Sequence, residues 1–266
     1  VMLNESYAAN GESLPYPDVS GLGVGTNWQD QLFSTAPVFD NNFSISGGSD
    51  KINYSFSASD LRQKGTIGGD KAKFGRTNVR LAMGVDFTKW LKFNTTIMYT
   101  QLNRTSFNDF GLGSVLFNAV NMPSTVPVYD EFGNYFQAPA NLGIEIINPL
   151  EQLSNTYNAY SLSKWNGNFG LTAKFARHFT ATARVGFNTT NTYNKSFSKI
   201  VDYGGKVFDV TRSSVYQSRD NYNDYTADAF VTYDNTFKES HHVTATIGTT
   251  VYQTWGNNLN ATGFDI

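Results

Sequence analysis

The chain contains no cysteine. That absence removes disulfide scaffolds, thiolate metal sites and cysteine nucleophiles together. Histidine is nearly as scarce, with three residues, at His178 and the adjacent His241-His242. All of them fall at short polar turns with no further ligands nearby, so no metal and no cofactor is expected. Charged residues make up 16%, against about 25% in an ordinary globular domain. The net charge of −2 leaves no basic patch for nucleic acid. No run approaches the ~18 apolar residues of a membrane helix. Val1 opens neither a basic nor an apolar targeting segment, so an exported protein of this kind is expected to begin upstream of it. The carboxylates Asp109, Asp130, Glu131 and Glu145 have no spacing that fixes a hydrolytic pair. Gly65-Thr-Ile-Gly68-Gly69 lacks the Gly-Lys-Ser/Thr ending and the helix of a phosphate loop. Asn-X-Ser/Thr triplets such as Asn53-Tyr54-Ser55 lie mid-strand and reflect an Asn/Thr-rich chain rather than glycosylation. No enzymatic activity is expected.

Aromatic residues and alternation are abundant instead. Phe and Tyr number 21 and 15. From Asp224 to Asp234 the odd positions read Tyr225, Ala227, Ala229, Val231 and Tyr233, and polar residues fill most even ones. The same parity resumes at Val243, Ala245, Ile247, Thr249 and Val251, and Trp255 closes the far end. A period of two predicts two extended strands, each with one apolar face, joined as an antiparallel hairpin. Aromatics bracketing small aliphatics are what a lipid-facing barrel strand shows. The eight steps from Tyr225 to Tyr233 span roughly 26 Å of strand, or about 20 Å of depth at ~40° tilt, near the height of an apolar membrane band.

Six further strands follow the same rule. They centre on 42–47, 54–58, 74–87, 91–99, 165–175 and 179–187, with Val79, Leu81 and Met83 or Phe179, Ala181 and Val185 on one parity. Residues 1–41 read as an irregular connection holding Pro15, Pro17 and Pro37, with at most a short helix ending near Tyr7. Residues 42–255 read as strands, with long loops at 105–160 and 193–222; 256–266 would start the next loop. Connections alternate between short and long, so turns and loops are sorted to opposite ends. That sorting is expected of an all-β, antiparallel transmembrane barrel with short periplasmic turns and long extracellular loops. Two other architectures fit eight strands: a complete small barrel of the OmpA type, structural or adhesive, and a soluble sugar-binding sandwich. In the closed small barrel, residues 42–47 would pair with 243–255.

Several stretches resemble one family. Thr26-Asn27-Trp28-Gln29-Asp30-Gln31-Leu32-Phe33-Ser34-Thr35-Ala36-Pro37 is similar to the tryptophan-aspartate segment early in the barrels of SusC/RagA-type TonB-dependent transporters. Asn42 to Ser57 resembles that family's first periplasmic hairpin. Gln63-Lys64-Gly65-Thr66-Ile67 and Arg76-Thr77-Asn78-Val79-Arg80-Leu81 resemble the next strand pair, and Lys89-Trp90-Leu91-Lys92 the turn after it. Pro127-Val-Tyr-Asp-Glu-Phe-Gly-Asn-Tyr135 and Asn148-Pro149-Leu150 look like its long third extracellular loop. Ala227 to Tyr233 and His242 to Gly248 look like a later hairpin.

The resemblance implies about eight strands, the second to ninth, of a 22-stranded outer-membrane barrel in a Gram-negative cell. The family's plug domain and TonB-binding motif would lie before Val1. It implies import of oligosaccharides or peptides powered through TonB, with outer-membrane lipid and a SusD-like surface lipoprotein as partners. Arg76, Arg80, Lys92, Arg184 and Asp228 fall on the polar parity and are expected in the lumen, toward plug or substrate. Facing lipid, Arg or Lys would cost ~2–4 kcal/mol near the midplane. In the long loop, Phe107, Phe110, Phe117, Tyr129, Phe132, Tyr135 and Phe136 are candidates for contact with the lipoprotein lid or a ligand. They are interleaved with Pro123, Pro127 and Pro139, which restrict the backbone, so residues 107–136 are expected to be ordered.

Overall fold

The computed structural model describes residues 2–266 except 15, 16, 19, 22 and 139–144; of Met2 and Leu3 only the backbone is described. Val1, Pro15 and Pro139, all used in the sequence expectations, lie outside the described residues. The chain divides into two units. One comprises residues 34–107, 156–200 and 212–266, the other 1–33, 108–155 and 201–211.

The first unit is a single antiparallel sheet in the order β1-β2-β3-β4-β5-β6-β7-β8. Its strands are β1 (Val38–Gly48), β2 (Ile52–Lys64), β3 (Lys73–Asp86), β4 (Leu91–Thr105), β5 (Thr156–Phe175), β6 (Phe179–Ser198), β7 (Ser214–Phe237) and β8 (His241–Phe264). Every neighbour in space is a neighbour in sequence, the meander that short turns enforce. Among the described residues no ladder joins β1 to β8, so the sheet is open. The pairing of 42–47 with 243–255 that a complete eight-stranded barrel needs is therefore not made, and a two-sheet sandwich is likewise not formed.

Short connections gather at one end and long ones at the other. At the short end Thr88 Oγ1 accepts from the Trp90 and Leu91 amides at 3.3 and 3.0 Å, closing the β3–β4 turn. Ala176 and Arg177, then Lys238 and Glu239, turn the next two hairpins at φ between 46° and 60°. Paired positive-φ residues give the turn twist that flanking strands require, even without glycine.

Several strands run further than alternation indicated. β1 starts at Val38, β5 at Thr156 and β7 at Ser214, β6 ends at Ser198, and β8 continues to Phe264. The 105–160 loop shrinks to 106–155, the 193–222 loop to 199–213, and most of 256–266 is strand. At ~3.3 Å per residue the 24 residues of β8 extend about 80 Å, well over twice the membrane-crossing length.

The second unit contains α1 (Met2–Ala9), α2 (Trp28–Leu32), α3 (Val115–Asn121) and α4 (Pro149–Asn155). Every buried hydrophobic residue described belongs to it, including Trp28, Val115, Ile146 and Ile147; the sheet contributes none.

Candidate functional site

Register settles which residues share a face, because directly paired residues in an antiparallel ladder point the same way. Ile45 pairs with Phe56, Phe56 with Leu81, Leu81 with Ile97, and Ile97 with Gly167. Phe169 pairs with Val185, Val185 with Ala227, and Ala227 with Val251. One apolar face thus runs unbroken across all eight strands. Its hydrophobic side chains stay at least partly open to solvent: Leu81 and Phe169, on inner strands, are 44% and 41% exposed. A continuous apolar face of this extent marks a surface that lipid or a partner covers.

Aromatic rows bound that face. Toward the long-loop end, Tyr99 meets Trp165 at 4.7 Å between ring centroids and Tyr225 meets Trp255 at 6.0 Å. Toward the short turns, Phe179 lies 5.7 Å from Phe175 and 5.0 Å from Tyr233. Glycines within the band are covered by rings, as a Cβ on Gly47 would meet the Tyr54 ring and one on Gly167 the Phe187 ring. Ring-over-glycine pairs restore packing that the bare backbone forfeits.

The opposite face is polar. It holds Arg76, Arg80, Lys92, Arg184 and Asp228, all five residues singled out from the sequence. Arg184 pairs with Asp228 at 3.2 Å and lies over the Phe230 ring, while Lys92 pairs with Asp86 at 2.8 Å. Arg76 and Arg80 have no carboxylate partner among the described residues. Three more carboxylates lie on this face of β7; sequence reasoning gives Asp224 and Asp234 the polar parity without naming any of the three a site candidate. Asp220 accepts from Thr192 at 2.7 Å, Asp224 from Asn188 at 2.8 Å, and Asp234 lies 3.1 Å from His242. Their shared parity with Asp228, at intervals of four, four and six residues, was the available signal. The polar face is consequently cationic on β3 to β5, where Arg104, Lys164 and Lys174 add to the arginines, and acidic on β7. His178 contributes a ring contact to Tyr233. Among the described residues no cluster of His, Cys, Asp and Glu is arranged to hold a metal.

In the helical unit the loop candidates divide by burial. Phe110 and Phe132 are 84% and 82% exposed, and Tyr129 is half exposed. Phe117, Tyr135 and Phe136 are partly buried, as is Phe107 in the sheet unit. Tyr129 and Tyr135 pair at 5.2 Å across a short hairpin whose tip is Phe132. Asp130 ties this tip, accepting from the Phe132 and Asn134 amides at 2.9 and 2.8 Å and from the Asn134 side chain at 3.2 Å. Partial desolvation would raise its carboxyl, but those bonds hold it below the ordinary 3.8.

Two fully buried asparagines fix the rest of the loop. Asn148 donates to the Val128 and Phe136 carbonyls at 3.0 and 3.2 Å and caps α4 through the Leu150 amide at 3.0 Å. Asn118 donates to Gln152 at 2.9 Å and accepts from the Ile147 amide at 3.3 Å. Trp28 Nε1 donates to the Pro123 carbonyl at 3.1 Å, so the tryptophan-aspartate segment anchors this unit. Gly25, at φ 75°, lies so close to Ser124 that a Cβ would stand 2.6 Å from its carbonyl oxygen.

No family model matches the chain. Two curated relatives come from Formosa agariphila. TonB-dependent receptor P26 is 27% identical over 169 residues, covering 62% of this chain and 16% of the receptor. TonB-dependent receptor P3 is 22% identical over 175 residues, covering 64% of this chain and 17% of the receptor. In fold, the chain superposes on a structure of the RagAB peptide importer in a closed-closed state with a TM-score of 0.74 and 21% identity, over 99% of this chain and 29% of that one. A second structure, of the RagAB peptide transporter, gives 0.75 at 21% identity over 99% and 30%. These matches support the resemblance to a segment of a SusC/RagA-type TonB-dependent transporter, and the open sheet is that of a partial barrel.

Proposed function

We propose that this chain forms eight consecutive wall strands, with one folded long loop, of an outer-membrane importer that takes up oligosaccharides or peptides with energy from TonB. The apolar face, on which no strand buries a hydrophobic side chain, carries this reading, because water is a poor neighbour for it and hydrocarbon a good one. The polar face then lines the lumen, where Arg76 and Arg80 remain available to substrate or plug. The short turns are periplasmic and the long loops extracellular. The SusD-like lipoprotein partner is what the family resemblance implies; here the exposed Phe110 and Phe132 are the surfaces offered to it.

A growth assay tests the import reading. A strain deleted for the full-length protein should lose growth on one class of polysaccharide or peptide, and the wild-type protein should restore it. Phe110→Ala with Phe132→Ala should leave the protein assembled in the outer membrane and reduce lipoprotein co-purification or uptake at least severalfold. Unchanged growth of the deletion strain on every substrate would reject import. Unchanged uptake and co-purification in the double variant would reject the role of the two rings.

A further inference from the structure

The apolar face carries charge in one zone alone. Between the short turns and the Tyr99–Trp165 row it has no Asp, Glu, Lys or Arg. Beyond that row, on the same face, stand Arg62, Lys64, Lys73, Lys195 and Arg219, with Asp60 as the one strand carboxylate. Three of these cations border a groove of about 530 Å³ whose lining includes Phe39, Arg62, Lys64, Lys73, Gly75 and Tyr193. Gly75 leaves it open: a Cβ there would stand 2.6 Å from the Arg62 guanidinium. Arg62 is held by Asp60 at 2.7 Å, and Lys64 and Lys73 share Asp70 at 3.0 Å each. Arg219 lies over the Tyr193 ring at 5.3 Å. Two carboxylates therefore set the cations in place without neutralising the zone.

Resting on the membrane reading above, the geometry points to a binding site for the phosphorylated headgroup of an outer-leaflet lipid. The groove level, where Arg62 pairs with Gly75, lies four residues beyond the Tyr99–Trp165 level, or about 10 Å higher at the usual strand tilt. That is headgroup depth rather than hydrocarbon depth. Phe39 and the lysine stems offer apolar surface to the glycerol or sugar–acyl junction, and the cationic heads reach the phosphate. A peptide or glycan in transit would meet the other face.

The test uses full-length protein stripped of lipid in neutral detergent, with bound lipid counted by native mass spectrometry. Bisphosphorylated lipid A should bind in preference to its dephosphorylated form, and inorganic phosphate at equal concentration should not displace it. Combining Arg62→Gln, Lys64→Gln and Lys73→Gln should weaken binding about tenfold or more, since each Lys or Arg beside anionic lipid contributes roughly fivefold. Asp70→Asn breaks the same two lysine ion pairs yet keeps the charge, so it should bind at least as well as wild type. Equal binding of both lipids, wild-type binding by the triple variant, weakened binding by Asp70→Asn, or displacement by phosphate would each overturn the site. A spin label at Ala183 separates the two readings. If that label reports lipid while the triple variant binds normally, only the headgroup site falls; if it reports water, the membrane reading falls with it.

Discussion

Asn148 shows how much of the long loop rests on single residues. Its side chain is fully buried and serves four backbone groups, two carbonyls and two amides. Asn148→Ala would take this partner from the Phe136 carbonyl and the Leu150 and Glu151 amides, all near solvent-accessible surface, while the Val128 carbonyl keeps the Phe136 amide at 3.0 Å. A buried group left without a partner costs about 1–3 kcal/mol. Loss of about 2–3 kcal/mol of local stability is therefore expected, read as faster hydrogen exchange at the Leu150 and Glu151 amides. Asp130 makes a pH-dependent case. Its carboxyl is depressed in the folded hairpin, so its contribution is present above the ordinary 3.8 and lost as pH falls through the folded value. Protection of the Phe132 and Asn134 amides should hold at pH 5 and fall only below about pH 4, whereas Asp130→Ala should lack it at every pH.

Elements were legible in the sequence where physics imposed a period. Within the band, Ala181, Ala183 and Val185 alternate with Thr182 and Arg184 because one face is apolar and the other polar. Beyond the aromatic row both faces of β6 and β7 are polar, with Asn191 and Asn221 on one and Thr190 and Asn194 on the other. No period survives there, which is why these strands read as loop. The helices α3 and α4, at seven residues each, are too short to show periodicity. Their caps were the readable signal, namely Ser114 before α3 and Asn148-Pro149 opening α4. Of the site, the polar-face cations were legible by parity. The groove around Arg62 was not, since it depends on Gly75 and on strands far apart in sequence. Parity also predicts asymmetric tolerance. Ala183→Arg should destabilise the assembled protein by ~2–4 kcal/mol, and Thr182→Arg, one step away, should cost little. Urea titration of the protein in lipid would show the difference; equal costs would contradict the assignment of faces.

At the scale of the whole molecule, the two units place their apolar groups oppositely. The helical unit buries Ile146, Ile147 and Val115 as a folded domain does, while the sheet buries no hydrophobic residue and turns its apolar face outward. Both edges of the sheet end unpaired among the described residues, and long exposed edges template further strands. The match covers 16% and 17% of the length of the two curated relatives. The claim that this wall separates lipid from an aqueous lumen is tested most directly by paired spin labels at Ala183 and Thr182 of the full-length protein in bilayers. The label at 183 should be quenched by oxygen and shielded from a water-soluble nickel chelate, and the label at 182 should show the reverse. Two water-accessible labels, or the opposite pattern, would contradict the account.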